Sequence, residues 1–160
     1  MRFRVDHRFP ASPEEVASVL ADPEFYLHLE LPDVGAPVVL DHRVAGAVTA
    51  LRLRYEFVGN LDPVARRLVG RDRLSWVQEI EVDRAGSGRL TFGAQADPRR
   101  LHGSAEFSLA AEGEGSVRRL SGELVVAVPA VGQWAERRIV PGLLRRLDIE
   151  SEAIEGRLRS

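Results

Sequence analysis

Residues 132–159, GQWAERRIVPGLLRRLDIESEAIEGRLR, have the periodicity of one long amphipathic helix. At about 100° per residue, their apolar side chains fall in one narrow stripe, with two more beside it. The stripe contains Ile139, Leu143, Leu147 and Ile154, and its neighbours are Val140 and Leu158. Because such a stripe must be buried against another apolar surface, the helix is predicted to pack across the rest of the chain.

Two features of this segment depart from a regular amphipathic helix. Glu136 and Glu150 project onto the apolar stripe. Since an unpaired carboxylate is costly to bury, each is expected to face a ligand site, to pair with an arginine, or to turn into solvent. Pro141-Gly142 predicts a kink or a break, because proline removes a backbone hydrogen bond and clashes with the preceding turn.

Six strand-like segments precede the helix, most of them alternating apolar and polar residues with a period of two. They lie at 36–44, 49–57, 74–82, 90–94, 101–109 and 120–128, and residues 61–69 read as a short helical or irregular insertion. Short glycine-containing turns join several of these segments, which predicts an antiparallel sheet. Because helix-length segments do not alternate with the strands, a parallel sheet of the Rossmann type is excluded.

The first thirty residues predict one more strand and two short helices. Residues 2–9, RFRVDHRF, alternate over a full strand that Pro10 ends. Ser12-Pro13-Glu14-Glu15 is a capping box with proline at the first helical position, and Asp22-Pro23 repeats the start signal. The order β-α-α-β6-α predicts an α+β fold with about seven strands, formed by residues 1–160 as one domain.

This order resembles the helix-grip arrangement of the START-like (SRPBCC) superfamily, in which a curved antiparallel sheet holds a long C-terminal helix across its concave face. Short motifs along nearly the whole chain resemble a small bacterial family of domains of unknown function within it. They are Arg2 to Val16, Asp22 to Tyr26, Leu53 to Tyr55, Leu74 to Trp76, Ser121 to Leu124 and Pro129 to Gly132. The resemblance implies a hydrophobic cavity and supplies no catalytic residues to carry over.

Composition narrows the possible functions further. The 160 residues include no cysteine and no lysine, so thiolate chemistry, Schiff-base chemistry and a Walker A loop are excluded. With a net charge of −2, the chain lacks the basic excess of a nucleic-acid binder. Five arginine pairs, Arg118-Arg119 and Arg145-Arg146 among them, read as solvated surface. We expect a cytoplasmic protein without stable membrane insertion, because no apolar run is long enough to span a bilayer.

The inward faces of the strands and helix supply the candidate ligand-binding residues. We expect a cavity lined by Val5, His7, Leu53, Tyr55, Trp76, Gln78, Phe92, Phe107, Leu124, Glu136, Leu143 and Leu147. His7, Tyr55 and Gln78 would orient one polar end of a ligand, although each is also an ordinary half-buried residue, and a core His would bond to the backbone or a carboxylate. Small inward residues such as Gly103 favour open space on the sheet. The sequence contains no compact set of metal-ligating residues, so no metal site is expected, and no cofactor is expected either.

The leading functional hypothesis is a binder of a hydrophobic small molecule, lipid-like or polyketide-like, without catalysis. One alternative is an enzyme on the same fold, a cyclase or hydratase whose polar cavity residues act as acid and base. Another is a protein-interaction module with a solid core. A buried histidine–glutamate contact open to a pocket would favour the enzyme. The protein is expected to be a monomer or a homodimer.

Overall fold

The secondary structure follows the alternation and the helix caps of the sequence. The structure is a computed structural model that describes residues 1–63, 66 and 73–160. Its strands are β1 (Arg2–Phe9), β2 (Val38–Ala45), β3 (Val48–Glu56), β4 (Ser75–Asp83), β5 (Ser87–Ala94), β6 (Leu101–Glu112) and β7 (Gly115–Val126). Its helices are α1 (Pro13–Leu20), α2 (Pro23–His28) and α3 (Gly132–Arg159). The insertion predicted at 61–69 lies largely outside the described residues.

The seven strands form one antiparallel sheet in the order β1-β7-β6-β5-β4-β3-β2. Strands β2 to β7 pair with their neighbours in sequence, whereas β1 pairs with β7, so that Val5 lies opposite Leu120. The predicted α+β architecture, a curved antiparallel sheet with a long helix against it, is confirmed. The core lies between the sheet and the helices, with Leu53 and Leu124 fully buried on the inward face.

Strand β2 explains why its segment of sequence showed no clear register. It forms an edge of the sheet and pairs only with β3, with a bulge between Val39 and Asp41. A bulge shifts the alternation by one residue, so that side chains on either side of it change faces. Val38 lies opposite Arg54 and Val44 opposite Thr49, so the two valines are on opposite faces, and both are exposed on this edge strand.

The two short helices begin where the sequence predicts. The Ser12 hydroxyl accepts a hydrogen bond from the Glu15 backbone N–H at 3.2 Å, and the Asp22 carboxylate accepts one from the Glu24 N–H at 3.0 Å. These bonds satisfy amides that have no partner within the first turn of a helix. Helix α1 then buries Val16 and Leu20 in the core.

We expect Ser12→Ala to lower the free energy of unfolding by about 1 kcal/mol, because alanine cannot accept the cap hydrogen bond. Chemical denaturation followed by circular dichroism measures the change. Ser108→Ala is the matched control, since Ser108 lies exposed on a strand and should change stability by less than about 0.5 kcal/mol. Equal losses in the two variants would show that the Ser12 cap contributes nothing specific.

Helix α3 continues without a break from Gly132 to Arg159. Of the two outcomes predicted for Pro141, the break is therefore wrong, and the kink stays a prediction. Pro141 lies on the exposed side, as does Arg137, whose carbonyl loses its intrahelical partner and can be hydrated instead. The opposite side buries Val140, Leu147 and Ile154 against the sheet and α1.

Candidate ligand-binding cavity

A cavity of about 370 Å³ lies between the sheet and the middle of α3. Fourteen of the described residues that line it are apolar or glycine, and the other two are arginines. The lining consists of Leu31, Pro32, Val34, Phe57, Leu74, Trp76, Phe92, Ala94, Leu101, Leu124, Ile139, Gly142, Leu143, Arg145, Arg146 and Ile149. The cavity is therefore an apolar space with cationic groups at its wall.

Strands β4 to β7 form the sheet wall of the cavity. Trp76, Phe92, Leu101 and Leu124 come from four successive strands, and alternation directs all four to the same face. Gly103 does not leave open space there as the sequence suggested. A Cβ atom at Gly103 would lie 2.2 Å from the Phe92 ring, so this ring already occupies the room that the glycine provides.

Helix α3 and the segment after α2 form the opposite wall. Ile139 and Leu143 are half-buried because they face the cavity, whereas Leu147, one turn further on, is 3% exposed in the core. Val34 holds the segment after α2 in place through isolated bridges to Leu31 and Phe57. The stripe of α3 thus faces two surroundings, solid core and open cavity.

Arg146 is the half-buried one of the two arginines in this apolar wall. Its Nη2 donates a hydrogen bond to the Gln78 side-chain oxygen at 2.7 Å. Its Cζ lies 4.5 Å from the centre of the Tyr55 ring and 5.9 Å from that of Trp76, and these two rings stack at 5.7 Å. A cation over aromatic faces is attracted by their electron density. The interpretation of Arg145-Arg146 as a solvated pair is therefore wrong for Arg146.

Tyr55 contributes a buried hydroxyl beneath this arginine. Its Oη has no hydrogen-bond partner among the described residues. Burial raises the pKa of Tyr55 to about 12, although the adjacent Arg146 guanidinium acts in the opposite direction. At neutral pH the phenol is therefore protonated, and its ring acts as a platform for the guanidinium.

A second polar cluster lies between α3 and strands β1 and β7, with Arg118 and Glu150 buried and Asp148 exposed at its outer end. Arg118 donates from Nη1 to Glu150 at 2.8 Å and from Nη2 to His7 Nδ1 at 3.1 Å. His7 Nε2 then bonds to Asp148 at 2.8 Å. Because Nδ1 accepts from a guanidinium, the proton of the neutral ring belongs on Nε2, where it is donated to Asp148. This cluster joins helix and sheet, and none of its members lines the cavity.

Arg118 is a residue that the sequence analysis misassigned. It is 1% exposed, not solvated surface, and it pairs with Glu150, which is 6% exposed. The alternation of Leu120, Gly122 and Leu124, extended two residues back, places Arg118 on the same inward face. That extension would have paired the arginine with the buried glutamate of the helix stripe.

Glu136 lies away from both the cavity and the cluster. Its carboxylate accepts hydrogen bonds from the Met1 amino group at 2.7 Å and the Val126 N–H at 3.1 Å. The bond from the amino group, followed by that from Val126, lowers the pKa of Glu136. Glu136 was expected to face the ligand site, and it is not among the described residues that line the cavity.

Four of the twelve predicted ligand-binding residues line the cavity, namely Trp76, Phe92, Leu124 and Leu143. The other eight are not among its lining residues: Val5, His7, Leu53, Tyr55, Gln78, Phe107, Glu136 and Leu147. For Leu53, Phe107 and Leu147 the physical reason is that the inward face extends beyond the cavity, and α1 and α3 fill the remainder with solid core. Tyr55 and Gln78 lie behind the cavity wall, where they contact Arg146, a lining residue.

Neither a metal-binding cluster nor a membrane-crossing helix occurs in the part of the chain that the structure describes. No three side chains of the metal-ligating types are placed to hold an ion there. Nor does any helix within it combine the length and the hydropathy that a membrane-crossing segment requires.

A protein-family model matches most of the chain. A family model described as a protein of unknown function (DUF2505) matches residues 4–158. No curated protein matches the sequence. The match covers almost the whole chain, including β2 to β7, β1 from Arg4 onward and nearly all of α3.

Solved structures share the fold over nearly their full lengths. The protein TTHA0849 from Thermus thermophilus is 20% identical, with a TM-score of 0.66 over 98% of this chain and 96% of its own. The ZhuI aromatase/cyclase from Streptomyces sp. R1128 is 15% identical, with a TM-score of 0.62 over 98% and 93%. A START superfamily protein from Mycobacterium smegmatis is 15% identical, with a TM-score of 0.57 over 99% and 97%. The fold is therefore the START-like helix-grip fold.

Proposed function

Since the chain belongs to DUF2505, a family of proteins of unknown function, we propose a function from its own geometry: it binds a small hydrophobic molecule in the cavity between the sheet and α3. The observation that carries this proposal is the cavity of about 370 Å³ with fourteen apolar or glycine residues in its described lining. Ligand pockets in proteins commonly range from about 300 to 1,000 Å³.

The size of the space argues for a ligand over a packing defect. Protein interiors are close-packed, and voids larger than a water molecule are few. An apolar cavity leaves its lining side chains without contacts on one side, and a bound apolar molecule restores those contacts. The proposal also agrees with the fold, which is shared with an aromatase/cyclase and a START superfamily protein.

The two alternatives have less support in the described residues. The enzyme would need an acid–base pair open to the cavity, yet His7 pairs with Asp148 and Arg118 away from it. An interaction module with a solid core would leave no apolar cavity of this size. We therefore propose binding or carriage of the hydrophobic molecule as the function.

We expect wild-type protein to bind the neutral fluorophore N-phenyl-1-naphthylamine and Leu143→Trp to weaken that binding about tenfold or more. The indole would occupy the cavity, and a bound ligand would lose apolar burial worth about 25 cal/mol per Å². A fluorescence titration measures the affinity, and circular dichroism verifies the fold of each variant.

Leu158→Trp is the matched control for this titration. Leu158 is also a half-buried leucine of α3, but it lies about four turns beyond Leu143 and does not line the cavity. Its variant should keep the wild-type affinity. Wild-type protein that binds no neutral probe, or two tryptophan variants that weaken binding equally, would contradict the proposed site.

A further inference from the structure

We propose that the hydrophobic ligand carries a single carboxylate, which Arg146 binds, so that the cavity selects amphipathic monoanions over neutral molecules. This inference rests on the proposed function, because it concerns the ligand of the same cavity. Arg146 contributes to the cavity wall from the middle of α3, beside the stacked Tyr55 and Trp76 rings.

Arg146 forms no ion pair with the residues that the structure describes. Its Nη2 donates to the neutral oxygen of Gln78, and its guanidinium lies over the faces of two aromatic rings. Among the described residues, no carboxylate lies within ion-pair distance of its guanidinium. The other inward arginine is different, because Arg118 is neutralised by Glu150 at 2.8 Å. The cavity therefore holds one half-buried cation that has no ion-pair partner in the described part of the chain.

The guanidinium of Arg146 has hydrogen-bond donors left for a ligand. Guanidinium stays charged at every physiological pH and offers five N–H donors in a planar fork. One Nη2 hydrogen serves Gln78, and the aromatic faces fix the plane of the group. The donors that Gln78 does not use match the two oxygens of a carboxylate, which arginine binds in bidentate fashion.

The site can neutralise a single negative charge on a ligand. Arg145 also borders the cavity, but it is exposed, so water already stabilises its charge. One partly desolvated guanidinium compensates one negative charge, whereas a phosphate monoester brings nearly two. The described lining contains no acidic residue that would repel an anion. A carboxylate on an apolar body therefore fits the site better than a phosphate or a neutral head.

The experiment compares decanoate, decanol and decyl phosphate, which share one alkyl chain and differ in the head group. Isothermal titration calorimetry at pH 7.5 measures each affinity for wild-type protein. We expect decanoate to bind about tenfold more tightly than decanol, the difference that one charge-assisted hydrogen bond supplies, and more tightly than decyl phosphate. Added salt should weaken decanoate and leave decanol unchanged.

Two variants assign the preference to Arg146. Arg146→Met should lower decanoate affinity about tenfold while decanol affinity changes less than about threefold. Arg137→Met, the control, removes an exposed charge of the same helix outside the cavity and should bind as wild type does. The wild-type comparison alone decides the question if Arg146→Met does not fold.

The failures of the two proposals are distinguishable. If decanol and decanoate bind equally, or if Arg146→Met weakens both alike, the carboxylate inference is wrong and the hydrophobic cavity stands. If decyl phosphate binds most tightly, the site selects dianions and the inference is likewise wrong. If neither decanol nor decanoate binds, the proposed function fails together with the inference.

Discussion

Replacing Glu150 by leucine is expected to lower the free energy of unfolding by about 3–5 kcal/mol. Arg118 would remain in the core at 1% exposure without its counter-charge, and its Nε already lacks a hydrogen-bond partner among the described residues. A buried charge left unpaired is among the most destabilising changes that a single substitution makes. Denaturant unfolding followed by tryptophan fluorescence measures the loss.

Glu155→Leu is the control for this experiment. Glu155 pairs with Arg159 on the same helix, and both side chains are substantially exposed, so its loss should cost less than about 0.5 kcal/mol. The double variant Arg118→Met, Glu150→Leu should be more stable than Glu150→Leu alone, because it removes both charges together. A Glu150→Leu protein within about 1 kcal/mol of wild type would show that the ion pair is not desolvated as the structure indicates.

Leu147→Ala is expected to cost about 2–5 kcal/mol of stability and to leave ligand affinity unchanged. Leu147 is 3% exposed and packs in the core, so the substitution opens a void that the neighbours fill only in part. The same residue was expected from the sequence to line the cavity, which would give the opposite result. Thermal unfolding measures the loss of stability, and titration with the neutral fluorophore measures the ligand affinity.

Leu27→Ala provides the exposed leucine for comparison. Leu27 lies on α2 with 36% of its surface accessible, and its truncation should cost less than about 1 kcal/mol. A small loss of stability at Leu147 combined with a large change in probe affinity would place Leu147 at the cavity after all.

Most of the helices and strands were predictable from the sequence because each has one buried face, with the edge strand β2 as the exception. Strand β3 alternates Leu51, Leu53 and Tyr55 with charged residues, and only one register buries the apolar set. Ser12 and Asp22 start helices through hydrogen bonds that depend on neighbouring residues alone. Local rules of this kind determine the order of the elements, and the order together with short motifs indicated the fold.

The position of the cavity was not predictable, because a periodic pattern marks a face and not the gaps in its packing. Leu143 and Leu147 lie on one stripe of α3, yet one borders open space and the other is in the core. Loop residues such as Pro32 and Val34 have no periodicity that would assign them to a wall. Arg146 was missed for a related reason, since its role depends on aromatic partners from two strands.

The pairing of β1 with β7 sets a constraint on the time course of folding. Met1 and Leu124 share a hydrogen bond across 123 positions, whereas the other strands pair with their neighbours in sequence. Closing such a long loop costs more entropy than forming a hairpin. At about 5–20 residues per second of synthesis, β1 waits roughly 6–25 s before β7 has been made. During that interval Phe3 and Phe9 have no paired strand beside them. The apolar face of β1 therefore stays unpaired for longer than that of any strand that pairs with its neighbour in sequence.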